Sequence, residues 1–536
     1  MKVLIIGLDG GTWDVLDDCL LENHMPNLHK LKERGCCGIL HSTEPPASPV
    51  AWTSFLTGCN PGKHGVTGFH YYSMKDNTLG VQNSTHCLVP NMYQQLSRQG
   101  YRIVSINVPW TFPCYEINGI MAAGLGFGGI KSDFTYPPDF RGELLAKIPD
   151  YDFCGRIEKK KDEYEQIIQL KNVYKNSFRQ KVLAAKMAND KIDCDLMVVQ
   201  FHDTDGMNHI LWKYVCAASR DEYPVYRDEM FEAFESLDEC VGELLNLAER
   251  DNAAVFVISD HGGDRLKALI RANLFLEKWG YLKTNSAWGK SFQKTTEKIR
   301  KKLGFATVTR PVQGFAQAQP EKLGINLKKS QAFMLHTAIP AGHLYINLKG
   351  RQPTGTVEPG EEYNRLIEKL RRKFLSVKGS DDKPLFVRVV TPGELYGENV
   401  KASERIGDLI LLPRQGYELT ISCSKRKGPV EIIPDKKPIG THHPNGIFIM
   451  AGDGVKPASE CKANITDIAP TVYALLNAEI PDYLDGRVLQ ETLTKPLDIR
   501  FAKENNETSP CGEKVFKLSQ NEEQEVNRRL EELGYL

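Results

Sequence analysis

Residues 194–212 read CDLMVVQFHDTDGMNHILW, an apolar run that ends in a group of carboxylates and imidazoles. The run has the length and the β-branched content of a buried strand. His202, Asp203, Asp205 and His209 then fall within eight positions. If the strand turns into a helix here, Asp205 and His209 lie four residues apart and leave the helix on one face. The stretch therefore predicts a strand that delivers two side chains able to share one metal ion.

Short apolar runs of the same kind recur along the chain, with helical patterns between them. Strands that alternate with helices predict an α/β fold with a mainly parallel sheet covered on both faces. The predicted strands are VLIIGL (3–8), RIVSINV (102–108), DLMVVQF (195–201), AVFVIS (254–259), DLILLP (408–413) and GIFIMAG (446–452), and the predicted helices include 26–35, 163–188 and 229–251.

The pattern of core-like apolar strands stops near residue 285 and resumes near residue 405. This change predicts an insertion within a larger core. Within it, the stretches AGHLYINL, EEYNRLIEKLRRKFLSV and PLFVRVV predict a β-α-β run, and the basic stretch 289–304 predicts a helix. The tail is polar and charged, and we expect a peripheral helix there. The predicted segments are 1–284 (core, first part), 285–404 (inserted cap), 405–495 (core, second part) and 496–536 (charged C-terminal tail).

The composition limits the classes of partner. Lys plus Arg and Asp plus Glu both total 68 in 536 residues, so no global field attracts nucleic acid or an anionic membrane. No stretch approaches the ~18 apolar residues of a spanning helix, and the opening MKVLIIGLDGG is too short an apolar run for a signal peptide. The thirteen cysteines include no CxxC pair, which favours reduced thiols. We expect a cytoplasmic protein without nucleic-acid or membrane partners; the sequence leaves the oligomeric state open.

Candidate metal ligands stand at several predicted strand ends. Functional groups of open α/β sheets collect at the carboxyl edge of the strands. One strand-terminal Asp or one His is more typical of a cap or a hydrogen-bonded surface group, but the combination predicts a metal site. This ligand set suits zinc or manganese, and six residues suffice for two ions. The candidates are Asp9, Asp205, His209, Asp260, His261 and His442, with His202, Asp203 and His443 as weaker neighbours.

A second motif, PPASPVAWTSFLTGCNPGKHG (45–65), supplies a candidate nucleophile. Pro49 favours the first turn of a helix and Gly58 stands where that helix would stop, so Ser48 is expected at the N-cap. A hydroxyl there lies beside the positive end of the helix dipole. Serine is a weak nucleophile unless a base or a metal lowers its pKa. An ordinary cap is the simpler interpretation of the motif alone, and the metal candidates favour a nucleophile.

Seven strings occur in a characteristic order along the chain: IIGLDGGTWD, SPVAWTSFLTGCNPGKHG, DGMNH, SDHGG, GTHHPNGIFI, NITDIAPTVYALL and DGRVL. Together they resemble the alkaline phosphatase superfamily, and within it the type I phosphodiesterase and nucleotide pyrophosphatase group. The likeness is strongest to its prokaryotic branch of predicted phosphohydrolases or phosphomutases. The resemblance implies a three-layer α/β/α core with a mainly parallel sheet and a small inserted α+β cap.

The resemblance also implies a site and a reaction. One divalent ion would be held by Asp205, His209 and His442. The other would be held by Asp9, Asp260 and His261, with Ser48 bridging to it as the attacking group. The implied enzyme is a phosphoester hydrolase with zinc, or else manganese, and a covalent phosphoserine intermediate. It would act on a small phosphorylated substrate.

Two departures from the group leave alternatives open. Most members are similar in having Thr as nucleophile and Asn three residues later, where this chain has Ser48 and Ala51. Ser is typical of the phosphatase and phosphoglycerate mutase branches, so a phosphomonoesterase or a phosphomutase is the alternative. A catalytically idle metal-binding protein is a third hypothesis. Trp52 stands where sulfatases have Arg, which argues against sulfate esters.

Several basic and amide side chains are candidates for binding the substrate. Asn60 and Lys63 could donate to a phosphoryl oxygen in place of the missing Asn. In the insertion, Arg351 could meet a second anionic group, as could Lys349 and the basic run Lys294, Lys298, Arg300, Lys301 and Lys302. Long basic side chains are more often solvated, which is the simpler interpretation of each.

Overall fold

The computed structural model describes residues 1–126, 128–158, 160–285, 324–335, 338–398, 400–401, 403–502 and 515–533. The strands are β1 Val3–Leu8, β2 Cys36–His41, β3 His70–Ser73, β4 Thr78–Val81, β5 Ile103–Ile106, β6 Gly119–Ala122, β7 Thr135–Tyr136, β8 Leu196–Phe201, β9 Ala254–Ile258, β10 Gly262–Arg265, β11 Ala268–Ile270, β12 Ala332–Leu335, β13 Gly342–Ile346, β14 Phe386–Val390, β15 Leu409–Pro413, β16 Tyr417–Leu419, β17 Val430–Ile432, β18 Gly440–His443, β19 Asn445–Ala451, β20 Ser459–Asn464, β21 Glu479–Ile480 and β22 Arg500–Phe501.

The helices agree with the predicted ones to within a turn or so at their ends. The predicted helix 229–251 begins earlier, at Pro224, because proline is tolerated in the first turn of a helix. The helices are α1 Asp18–His24, α2 Pro26–Arg34, α3 Ser48–Thr57, α4 Pro61–His64, α5 Met92–Arg98, α6 Phe140–Lys147, α7 Glu163–Lys191, α8 Asp203–Val215, α9 Pro224–Arg250, α10 Ala272–Lys278, α11 Glu361–Leu375, α12 Pro392–Tyr396, α13 Ile468–Leu475 and α14 Gln520–Leu533.

The chain forms two compact units. The first contains Met1–Asn60, Asn83–Gly263 and His443–Val526, and the second contains Pro61–Gln82, Asp264–His442 and Asn527–Leu536. The predicted segments 1–284, 285–404, 405–495 and 496–536 stay predictions.

A mainly parallel sheet forms the centre of the first unit. Within the described part of the chain it has nine strands in the order β20-β2-β19-β9-β1-β8-β5-β6-β7. The middle strands β9, β1, β8 and β5 run parallel to one another. Strand β19 is antiparallel to both of its neighbours, β2 and β9. The prediction of an α/β fold with a mainly parallel sheet is therefore confirmed.

Helices pack against this sheet and give it a layered core. On one face, Val3 and Ile5 of β1 join a buried apolar cluster with Trp52 and Phe55 of α3 and Val472 of α13. Helices α7 and α9 pack along each other and contact β5, β8, β1 and β9. The strands buried in this way are almost entirely apolar, as expected of a parallel sheet that helices cover, and Gln200 in β8 is the exception.

The second unit is mainly antiparallel. In the residues that the structure describes, it contains a four-stranded sheet in the order β12-β13-β15-β14 and a three-stranded sheet in the order β16-β11-β17. Strand β13, helix α11 and strand β14 confirm the predicted β-α-β run. Aromatic packing joins Trp279, Phe374 and Phe386, with ring centroids 4.9 and 5.2 Å apart. The predicted basic helix 289–304, with its five candidate cations, lies outside the described residues.

Two further expectations concern the thiols and the membrane. The twelve cysteines within the described residues are all free thiols, as predicted from their spacing. Among the helices that the structure describes, none has the length and apolar content needed to span a bilayer.

The tail forms helix α14, in which the spacing of Val526, Leu530 and Leu533 buries one apolar stripe.

Candidate active site

The candidate ligands of the first unit meet at one edge of its central sheet. The parallel register aligns Leu8 with Phe201, and it aligns Gly7 with both Gln200 and Ile258. The chain leaves β1 at Asp9, leaves β8 toward Asp205 in the first turn of α8, and leaves β9 toward Asp260. We call Asp9, Asp205 and Asp260 the strand-end cluster. All three are essentially inaccessible to solvent.

Asp205 and His209 form the pair that their spacing predicts. Both lie on α8, and Nε2 of His209 is 3.1 Å from Oδ2 of Asp205. The helix begins directly after β8, so the strand fixes where the helix starts and the helix aligns the two side chains. The predicted proximity of the Asp205 and His209 side chains is therefore confirmed.

Ser48 lies against the other candidate ligands. Its Oγ is 3.3 Å from Oδ1 of Asp9 and 3.3 Å from Nε2 of His261. Nε2 of His261 is in turn 3.3 Å from Oδ2 of Asp260 and 3.7 Å from Oδ1 of Asp9. A hydroxyl, an imidazole and two carboxylates therefore converge on one small volume.

The local structure around Ser48 differs from the prediction in one respect. Ser48 is the first residue of α3, and Ala47 with extended backbone is the N-cap, so the prediction of a Ser48 cap is wrong. The side chain is therefore free of the capping role and points at Asp9 and His261 instead. The predicted end of the helix is confirmed, because Gly58 takes a left-handed conformation with φ of 64° there.

The electrostatics around Asp9 and Asp260 favour the binding of a cation. Burial, together with the carboxylates of Asp9 and Asp205, raises the pKa of Asp260 well above its ordinary value. In the part of the chain that the structure describes, neither Asp9 nor Asp260 has a Lys or Arg partner. Oδ2 of Asp260 is buried and accepts no hydrogen bond there. Buried carboxylates are normally paired or bound to metal, so a divalent cation fits these residues.

The ligand atoms are also close enough to share an ion. Atoms of Asp9, Asp205 and His261 lie within 4.8 Å of one another. Oxygen and imidazole nitrogen are donors that zinc and manganese accept. The remaining candidate, His442, is a buried residue of β18 in the second unit, and its role as a ligand stays a prediction.

The predicted substrate-binding residues have various partners. Nδ2 of Asn60 donates to Asp485 at 2.9 Å. Lys63 lies in α4, in the second unit. In the same unit the Arg351 guanidinium donates two hydrogen bonds of 2.7 Å to the carboxylate of Asp408. This ion pair gives Arg351 a structural role, and its binding to substrate stays a prediction, as it does for Asn60 and Lys63.

Of the three residues that surround the second oxygen of Asp9, the sequence analysis named His202 but missed Trp52 and Gln200. Nε1 of Trp52 donates to Oδ2 at 2.9 Å, and Nε2 of Gln200 donates to it at 2.6 Å. Nδ1 of His202 is 3.2 Å from the same oxygen. The sequence identifies Trp52 only as a departure from the sulfatase pattern. One feature of the sequence could have pointed to these contacts: Gln200 is a polar residue inside an otherwise apolar buried strand.

The loop after β1 is fixed by further hydrogen bonds. The Thr204 hydroxyl donates to the carbonyl of Asp9 at 2.6 Å, and Nδ2 of Asn208 donates to that of Gly10 at 2.6 Å. The N–H of Gly10, whose φ is 63°, donates to Oδ1 of Asp260 at 3.1 Å. Glycine tolerates this left-handed conformation, which turns the backbone N–H toward the carboxylate.

Comparison with known proteins identifies solved structures of similar fold. No curated protein matches the chain. The fold is similar to that of phosphonoacetate hydrolase from Sinorhizobium meliloti 1021 in complex with phosphonoformate, with a TM-score of 0.55, 15% identity, and coverage of 89% of this chain and 95% of that chain. It is also similar to human ectonucleotide pyrophosphatase / phosphodiesterase 5, with a TM-score of 0.49, 14% identity, and coverage of 92% and 100%.

The similarity to the phosphonoacetate hydrolase structure confirms the predicted fold class. A match to a protein family also extends over most of the sequence. Residues 3–445 match type I phosphodiesterase / nucleotide pyrophosphatase. That span includes Ser48, the strand-end cluster and the His442 candidate. The chain belongs to the type I phosphodiesterase / nucleotide pyrophosphatase family.

Proposed function

We propose that the protein is a metal-dependent phosphoester hydrolase in which Ser48 is the nucleophile. The observation that carries the proposal is the position of the Ser48 hydroxyl, 3.3 Å from both Asp9 and His261 at the edge of the sheet. Membership of the type I phosphodiesterase family supports the reaction class. The burial of three carboxylates in the strand-end cluster, and the raised pKa of Asp260 that results, support the dependence on metal.

The proposed cofactors are two divalent cations, zinc by preference and manganese as the other candidate. Asp9, Asp260, His261 and Ser48 would hold one of them. Asp205 and His209, with His442 as the sequence predicts, would hold the other. Bound cations would supply positive charge that lowers the pKa of a hydroxyl and stabilises the phosphoryl oxygens.

The side chains of the protein then have distinct roles in the proposed reaction. Ser48 Oγ loses its proton and bonds to phosphorus while the bond from phosphorus to the leaving oxygen breaks, and the leaving oxygen takes up a proton from solvent in exchange. The product of this step is a phosphoserine. Water then loses a proton and attacks phosphorus, the bond to Ser48 Oγ breaks, and Oγ takes up a proton, which restores the hydroxyl. Asp9 and His261 keep the Ser48 oxygen in place during both steps.

The proposed substrate is a small phosphorylated molecule, and a phosphodiester is the first choice on the family match. One feature favours a second candidate, a phosphomonoesterase or phosphomutase. Ser48 and Ala51 replace the Thr and Asn of most diesterases, and the backbone N–H groups of Val50 and Ala51 both donate to the carbonyl of Ala47. Donors to the phosphoryl oxygens must therefore come from elsewhere; Asn60 and Lys63 are the proposed ones, and Arg351 is proposed to meet a second anionic group of the substrate. The cytoplasmic location stays a prediction.

The test compares the cleavage of bis-p-nitrophenyl phosphate with that of p-nitrophenyl phosphate, in zinc and in manganese. Wild type, Ser48→Ala and the matched control Ser54→Ala, a serine of the same helix, are assayed in parallel. We expect Ser48→Ala to abolish cleavage and Ser54→Ala to retain it. Diester preference supports the phosphodiesterase assignment, and monoester preference supports the second candidate. Equal activity of Ser48→Ala and wild type would contradict the proposed nucleophile.

A further inference from the structure

We propose that Trp52 and Gln200 are positioning residues that orient the Asp9 carboxylate for cation binding. The inference rests on the proposed function, because it concerns a residue of the proposed metal site. Nε1 of Trp52 and Nε2 of Gln200 both donate to Oδ2 of Asp9, at 2.9 and 2.6 Å. The other oxygen, Oδ1, is the one that lies 3.3 Å from Ser48 Oγ. The two donors therefore engage one oxygen, which Nδ1 of His202 also approaches at 3.2 Å, and leave the other facing the nucleophile.

Two different elements supply the donors, and both are set by the fold. Trp52 lies four residues after Ser48 on α3, so the two side chains leave the helix on the same face. Gln200 lies in β8 directly beside Gly7 of β1, two residues before Asp9. One helix thus presents both the nucleophile and a donor, and the neighbouring strand presents the second donor.

Gly7 makes room for this arrangement. A Cβ atom added at Gly7 would lie 2.5 Å from Cη2 of Trp52 and 3.1 Å from Cγ of Gln200. The first distance is a clash, because real Cβ atoms are essentially never found closer than about 3.0 Å to a heavy atom of a residue that is not their neighbour in the chain. The space above Gly7 is therefore filled by the two side chains that donate to Asp9.

Such donors matter because an isolated carboxylate is not fixed in orientation. The terminal torsion of Asp is broad and roughly two-fold, so either oxygen can face a ligand. Two hydrogen bonds from separate elements to one oxygen remove that freedom. Outer hydrogen bonds orient metal ligands in this way, and their loss costs about 10- to 100-fold in metal affinity or activity.

The burial of the donors agrees with this role. Trp52 and Gln200 are completely buried, and a buried N–H group is costly without an acceptor. A phenylalanine in the same apolar cluster would need no acceptor, as Phe55 one turn away shows. The indole N–H and the amide are thus accommodated because the Asp9 carboxylate accepts from both.

The structure offers variants that remove each donor with little other damage. Trp52→Phe keeps an aromatic ring, and Gln200→Met keeps the length of the side chain. Oε1 of Gln200 accepts from Asn107, whose Nδ2 also donates to the carbonyls of Phe153 and Gln200, at 2.9 and 3.0 Å. In Gln200→Met, the Asn107 amide therefore keeps two acceptors, the backbone carbonyls of residues 153 and 200. Phe55→Leu is the matched control, because it makes a core cavity in the same helix without touching Asp9.

The experiment titrates the cation-free full chain with Zn²⁺ and measures Kd by calorimetry, alongside thermal unfolding without cation. We expect Trp52→Phe and Gln200→Met each to raise Kd about 10- to 100-fold. We expect Phe55→Leu to bind as wild type does. If Trp52→Phe does not fold, the Kd of Gln200→Met alone tests the proposal.

Asp9→Asn separates failure of this inference from failure of the proposed function. If wild type binds no Zn²⁺, or if Asp9→Asn binds as tightly as wild type, the proposed metal site is overturned. If Asp9→Asn loses binding while Trp52→Phe and Gln200→Met bind as wild type does, the positioning role alone is overturned. Weaker binding in the two variants, with Phe55→Leu unchanged, supports both.

Discussion

Buried carboxylates occur in both units of this protein, but their surroundings differ. In the second unit, Asp408 accepts two hydrogen bonds from Arg351, one from the Tyr363 hydroxyl at 2.8 Å and one from the N–H of Ile346 at 2.6 Å. We call Arg351, Tyr363 and Asp408 the Arg351 cluster. In the first unit, Asp9 and Asp260 lie near imidazoles and have no Lys or Arg partner in the described residues.

This difference separates a structural carboxylate from a candidate functional one. The protein itself neutralises Asp408, so that residue needs nothing further. The strand-end cluster concentrates negative charge where water cannot solvate it, which is unfavourable unless a cation binds or a proton is taken up. The close grouping of buried carboxylates with imidazoles is therefore the feature that indicates a metal site here.

The largest expected effect comes from neutralising one member of the strand-end cluster. Asp260→Asn should lower kcat/KM on the preferred ester by at least about 10³-fold, because a cation ligand is lost. Its unfolding temperature without cation should hold or rise, because the variant removes a charge that burial makes costly. Kinetics and thermal unfolding in a chelator check both parts. A marked loss of stability would contradict the distinction between the two clusters.

The same substitution in the Arg351 cluster should have the opposite effect on stability. Asp408→Asn leaves the Arg351 guanidinium without its carboxylate. We expect the free energy of unfolding to fall by about 3 kcal/mol, toward the lower end for a broken buried ion pair because Arg351 is partly exposed. Denaturant unfolding measures this change. A loss below about 1 kcal/mol would place the pair among weak surface ion pairs.

The stabilisation by cation should depend on pH. Because the pKa of Asp260 is raised in the folded state, this group favours folding at low pH, and that contribution is lost as pH rises through the folded pKa. Zn²⁺ competes with the proton for the site. The rise in unfolding temperature on adding Zn²⁺ should therefore be larger at about pH 7.5 than at about pH 5. An equal rise at both pH values would count against the strand-end cluster as the binding site.

The smallest expected effect tests one hydrogen bond of the Arg351 cluster. Tyr363→Phe removes the hydroxyl that donates to Asp408 and should lower the free energy of unfolding by about 1 kcal/mol, because Arg351 and Ile346 still donate to that carboxylate. Tyr164→Phe is the matched control, since its hydroxyl donates to Glu229 on an exposed surface. Denaturant unfolding of both should show a loss only in Tyr363→Phe. An equal loss in both would contradict the argument from burial.

The sequence predicted the elements and the strand-end residues because both follow from local patterns. Apolar runs identified β1, β8 and β9 nearly to the residue, and the polar residues after them followed from where parallel strands end. The i, i+4 spacing predicted the Asp205–His209 pair, which the structure places 3.1 Å apart. The order of the strands was not predicted, because pairing depends on residues far apart in the chain.

The roles that remained hidden depend on tertiary packing. Nothing local shows that the indole N–H of Trp52 is directed at Asp9, 43 residues earlier. The partner of Arg351 is 57 residues away, so a basic side chain was interpreted as a substrate contact before its ion pair was known. Ser48 was expected to cap its helix because serine commonly does so, and the nearby Asp9 and His261 engage its hydroxyl instead.

Anomalous X-ray diffraction from crystals grown with Zn²⁺ would show whether the strand-end cluster binds a cation. We expect an anomalous peak bounded by Asp9, Asp260 and His261, at about 2.0–2.2 Å from their ligand atoms. We also expect Oδ2 of Asp9 to stay hydrogen-bonded to Trp52 and Gln200. A strand-end cluster that shows no peak in crystals grown with Zn²⁺, while the crystallised protein cleaves phosphoesters, would contradict the proposed metal site.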